Sequence, residues 1–107
     1  MLMRTATGQV EVVNRMGIHL RPAASLVQMC NQYPSCEVEI SKDGLTVNGR
    51  SIMSVIMLAA EKSSVLTIKV TGDECEDLLG NLVALVKGGF GEEDDLIDSS
   101  PEMELTP

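Results

Sequence analysis

Single alternation of apolar and polar residues marks three short stretches of the chain, and a three-to-four-residue apolar period marks two longer ones. Val10 and Val12 alternate with Gln9 and Glu11, which predicts a strand over Gln9–Val13. Cys36, Val38 and Ile40 alternate with Glu37 and Glu39, and Leu66, Ile68 and Val70 with Thr67 and Lys69, predicting two more strands. Ala23, Leu26, Val27 and Cys30 recur as one stripe of a helix, and Leu79, Leu82, Val83 and Val86 as another.

The punctuation between these runs orders them. Pro22 lacks an N–H and suits only the first turn of a helix, so the first helix starts just after His19 and ends at Pro34. Lys42-Asp43-Gly44 is a turn signal, after which Leu45 and Val47 continue as the second arm of a hairpin. Asn48-Gly49-Arg50 is a loop, and Ser51 is placed to cap a short helix over roughly Ile52 to Ala59. Asp73 with Glu76 has the spacing of a capping box for the last helix, and Gly88-Gly89 stops it as a left-handed C-cap does. The order is β-α-β-β-α-β-α. Each alternating strand has one buried and one wet face. The expected fold is therefore α+β: an open-faced sandwich of a four-stranded antiparallel sheet with three helices on one face.

Charge changes this picture at one end only. Of the formal net charge of −8, the segment Glu92–Pro107 carries −7, with no Lys or Arg. It is read as an acidic, disordered tail following a domain of residues 1–91. That domain is nearly neutral, so no long-range attraction of nucleic acid or of an anionic membrane is expected. With one Tyr, one Phe and no Trp in 107 residues, a site built on stacking is not expected either. Cys30, Cys36 and Cys75 show no metal spacing and read as reduced thiols of a cytoplasmic protein. The start of the chain has no signal-peptide core, and no apolar run is long enough to span a membrane.

The candidate chemistry gathers around the only histidine, in Gly17-Ile18-His19-Leu20-Arg21-Pro22-Ala23. A helix start offers free backbone N–H groups and a partial positive charge, which suit phosphate. Arg21 adds a guanidinium fork for phosphate oxygens. Gly17 lets the loop turn sharply, and His19 supplies a nitrogen nucleophile near neutral pH. A lone histidine at a helix start is more often an ordinary surface or capping residue. No second His and no triad-like spacing supports a metal site or a hydrolase, so no metal and no cofactor are expected.

This run resembles the active-site signature of HPr, the histidine-containing phosphocarrier of the bacterial phosphoenolpyruvate:sugar phosphotransferase system. A second block, Asn48-Gly49-Arg50-Ser51-Ile52-Met53-Ser54-Val55, resembles that family's regulatory serine signature. The element order agrees, and the resemblance covers roughly residues 7–91.

The resemblance implies a phosphoryl group carried on Nδ1 of His19, with Arg21 stabilising the phosphate. The group comes from phosphorylated enzyme I and leaves for a sugar-permease A domain (enzyme IIA). The chain is then a phosphoryl-transfer intermediate rather than a free-standing enzyme, and a monomer. Ser51 corresponds to the serine modified by a dedicated kinase and phosphorylase; an N-cap Ser needs no regulation, but the surrounding Arg50-Ser51-Ile52-Met53 block favours more than a cap. Leu20, Ile52 and Met53 are expected around His19 as an exposed apolar docking patch. The alternative function is regulatory: an HPr-like protein in a system without sugar transport, acting through the phosphorylation state of His19 and Ser51. A ferredoxin-like ligand-binding module shares much of the element order but gives no reason for His19, Arg21 and Pro22 together.

Overall fold

The computed structural model describes residues 3–92. Four strands, β1 (Thr5–Glu11), β2 (Glu37–Lys42), β3 (Leu45–Asn48) and β4 (Val65–Thr71), form one antiparallel sheet in the order β1-β4-β2-β3. Three helices, α1 (Leu20–Asn31), α2 (Ile52–Met57) and α3 (Cys75–Lys87), interleave with them in the predicted order. A single 3₁₀ turn, Gly89–Gly91, follows α3.

β4 lies between β1 and β2, and its alternation decides which face is covered. Leu66, Ile68 and Val70 are fully buried, as are Ile40 of β2 and Leu26, Leu78, Leu82 and Val86 of the helices. α3 packs on β1 and β4, and α1 packs against both α2 and α3. The hairpin turns through Asp43 and Gly44, both at positive φ (51° and 87°), between the paired Lys42 and Leu45. This two-residue geometry matches the strand twist. No helix of the described residues is long and apolar enough to cross a membrane.

The structure departs from the sequence reading at several element ends. β1 starts at Thr5 and ends at Glu11. Its first residues show no apolar alternation and are strand because they pair with Ile68–Thr71 of β4. α1 stops at Asn31, three residues short of Pro34, and α2 ends at Met57. The capping box at Asp73 and Glu76 does not form. Instead the chain turns at Gly72, whose carbonyl accepts Cys75 N–H at 3.3 Å, and α3 begins with Glu74 as N-cap and no side-chain cap. The fully buried stripe of α3 is Cys75, Leu78, Leu82 and Val86, with Leu79 and Val83 only partly buried. Gly89, at φ 67°, is the left-handed residue that ends the helix. Of the predicted tail only Glu92 is among the described residues.

Candidate functional site

The loop before α1 is built to present one side chain. Gly17 sits at φ 68°, and a Cβ there would lie 2.4 Å from the Ala60 carbonyl oxygen. Only glycine meets both conditions. That close approach lets Ile18 N–H donate to the same carbonyl at 2.9 Å, which ties the loop to the segment between α2 and β4. Asn14, 2 % exposed, closes the turn from the other side, its Nδ2 donating to the Gly17 carbonyl at 2.8 Å.

His19 follows as the N-cap of α1, with an extended backbone and a side chain that caps nothing. Its carbonyl accepts Ala23 N–H at 3.0 Å, the first hydrogen bond of the helix ladder. The preceding N–H groups of Leu20 and Arg21 lie at the positive end of the helix, and Pro22 has none. The imidazole is 38 % exposed. Its Nε2 lies 2.8 Å from a carboxylate oxygen of Glu92, while Nδ1 has no partner among the described residues. Arg21 projects from the first turn, exposed and without an ion pair among the described residues.

Glu92 is the residue that sequence reasoning missed. By sequence it belongs to the acidic tail, yet its side chain is 8 % exposed and spans two partners, His19 and Asn14 Nδ2 at 3.0 Å. Three consecutive left-handed residues bring it there: Gly89 (φ 67°), Phe90 (58°) and Gly91 (74°). Phe90 pays roughly 1–2 kcal/mol for that conformation. The only local signal was Gly-Phe-Gly between a helix end and an acidic residue.

The second block is also held firmly. Ser51 caps α2, its hydroxyl accepting Ser54 N–H at 3.2 Å. Arg50 beside it donates to Asn31 Oδ1 at 3.0 Å, to the Cys36 carbonyl at 2.6 Å and to the Tyr33 carbonyl. It therefore joins the start of α2 to the end of α1, where carbonyls favour a cation. Leu20 and Met53, at the starts of α1 and α2, are 64 % and 68 % exposed. Ile52 is only half-buried and packs against the core, so it contributes less surface than the other two.

Residues 6–88 match the family model described as the PTS HPr component phosphorylation site. This chain belongs to the HPr family of the phosphotransferase system. It is 36% identical over 83 residues to a phosphocarrier protein HPr of Neisseria meningitidis, covering 78% of this chain and 92% of that relative. It is 38% identical over 79 residues to the HPr-like protein Crh of Halalkalibacterium halodurans, covering 74% and 93%. Among solved structures it resembles an HPr of Thermoanaerobacter tengcongensis, with a TM-score of 0.77 at 34% identity, covering 82% and 98%. The four-stranded sheet with three helices is thus the fold of HPr.

Proposed function

We propose that this member of the HPr family accepts a phosphoryl group on Nδ1 of His19 from phosphorylated enzyme I and passes it to a sugar-permease A domain. The observation that carries this reading is the division of labour on the imidazole. Glu92 engages Nε2, and among the described residues nothing engages Nδ1, at the start of α1. A neutral imidazole that donates Nε2–H to a carboxylate keeps its nucleophilic lone pair on Nδ1. The amide groups of Leu20 and Arg21 and the guanidinium of Arg21 are the donors at hand for the incoming phosphate. Among the described residues His19 stays partly exposed, which suits a relay whose phosphoryl group must leave as readily as it arrives. The partners dock on Leu20 and Met53, with Ile52 at the edge, and the protein works in the cytoplasm without a cofactor.

Ser51 is the regulatory position of this reading. A phosphate there adds close to two negative charges beside Met53 and opposes an acidic partner surface. A second reading, regulation without sugar transport, draws on the position of Ser51 and on the similarity to the HPr-like protein Crh. Incubation with labelled phosphoenolpyruvate, enzyme I and then an enzyme IIA separates the possibilities. Wild type takes up label and discharges it to the A domain, and His19→Ala takes up none. Label on His19→Ala would overturn the assignment, and uptake without discharge to any A domain would favour the regulatory reading.

A further inference from the structure

We infer that Glu92, oriented by Asn14, is a positioning residue that selects the tautomer of His19 and balances the charge of its phosphorylated ring. The inference deepens the phosphocarrier reading and rests on it. Asn14 Nδ2 has two acceptors, the Gly17 carbonyl at 2.8 Å and Glu92 Oε1 at 3.0 Å. Both are acceptors only, so the amide nitrogen, and not its oxygen, must face Glu92. With one carboxylate oxygen held by Asn14, the other meets His19 Nε2 at 2.8 Å. An ionised carboxylate only accepts, so Nε2 carries the proton and Nδ1 the lone pair.

The transfer step then needs no proton movement. The Nδ1 lone pair forms a bond to phosphorus, and the phosphorus–donor bond breaks with its electron pair staying on the donor. The imidazole keeps Nε2–H and becomes positively charged, and that charge lies against the Glu92 carboxylate. On the return step the electron pair of the Nδ1–phosphorus bond goes back to Nδ1, and the ring is again neutral with Nε2–H in place. The Glu92 side chain is 8 % exposed, so it acts through the ring and not through a docking face.

This geometry makes the most conservative substitution the most damaging. In Glu92→Gln, Asn14 still presents a donor, so the new amide must turn its oxygen to Asn14 and its NH₂ to His19. Nε2 is then forced to accept, and the proton moves to Nδ1, where it blocks attack. Glu92→Ala removes the preference without reversing it.

The test is nitrogen NMR of the His19 ring at neutral pH in wild type, Glu92→Gln and Glu92→Ala, with phosphorylation kinetics on enzyme I for each. Expected are the Nε2–H tautomer in wild type, Nδ1–H in Glu92→Gln and a mixture in Glu92→Ala. The turnover rate falls about tenfold or more in Glu92→Gln and about threefold in Glu92→Ala, with KM for this protein unchanged. An unaltered tautomer in Glu92→Gln, or a Gln variant as fast as the Ala variant, overturns the inference. Should enzyme I fail to load wild type, the phosphocarrier reading falls, while the tautomer series still decides whether Glu92 controls the ring.

Discussion

The carbonyl oxygen of Ala60 accepts Ile18 N–H at 2.9 Å and lies 2.4 Å from where a Cβ on Gly17 would stand. One contact between the loop before α1 and the segment after α2 thus fixes the entry to the histidine helix. It also removes any room for a side chain there. Gly17→Ala combines a left-handed backbone with an overlap against backbone, where no rotamer change gives relief. The expected loss of stability is at least ~2 kcal/mol. Urea unfolding of the variant beside wild type measures it, and an unchanged midpoint would show that the loop shifts freely.

Arg21→Ala is expected to leave stability unchanged, since the side chain is exposed and pairs with none of the described residues. Its effect falls on the phosphoryl group. Losing a hydrogen bond to a charged group is worth roughly 1.5–3 kcal/mol, about ten- to a hundredfold in transfer rate in both directions. Rapid-quench transfer from enzyme I and to an A domain at limiting partner concentration provides the check. Unchanged rates would show that the N–H groups of the helix start suffice to hold the phosphate.

Ser51 offers a paired test of cap against switch. Ser51→Ala loses the acceptor for Ser54 N–H and should cost about 1 kcal/mol. Ser51→Asp keeps a cap and so keeps its stability. It places a charge at the docking surface, weakens binding to enzyme I, and that defect shrinks as salt rises. Thermal melts together with KM for phosphorylation at two ionic strengths distinguish the effects. A Ser51→Asp protein that phosphorylates like wild type at low salt reduces Ser51 to a helix cap.

Burial pushes the Cys30 thiol up from 9.0 to about 11, against a smaller opposing pull from Arg50. A thiol whose pKa is raised by folding adds stability that is fully present below pH 9.0. That stability is lost as pH climbs through about 11. Wild type should therefore lose more stability than Cys30→Ala between those two values. Urea midpoints across the range read the difference, and parallel curves for the two proteins would contradict it.

How much of this was legible in the sequence depends on how local each cause is. The stripe Ala23, Leu26, Val27 and Cys30 and the alternation Leu66, Ile68 and Val70 are properties of neighbours in the chain, and both became buried faces as read. The Ser51 cap forms as read too, its donor lying three residues away. The first residues of β1 were missed because their strand character comes from pairing with β4, more than 50 residues distant. The capping box at Asp73 does not form because the helix begins one residue later, with Glu74 and not Asp73 as N-cap. Glu92 was the largest omission. Its contact with His19 spans 73 positions and depends on three left-handed residues in succession, one of them Phe90. No periodicity or composition encodes such a turn, and the acidic composition that follows Glu92 in the sequence reads as a solvated tail.

Whether His19 carries the phosphoryl group is read by intact mass before and after mild acid. The protein is incubated with enzyme I and phosphoenolpyruvate, beside His19→Ala. Phosphohistidine is acid-labile and phosphoserine is not. Wild type is expected to gain the mass of one phosphoryl group and lose it in acid, and His19→Ala to gain nothing. A gain that survives acid, or one that appears on His19→Ala, would contradict it.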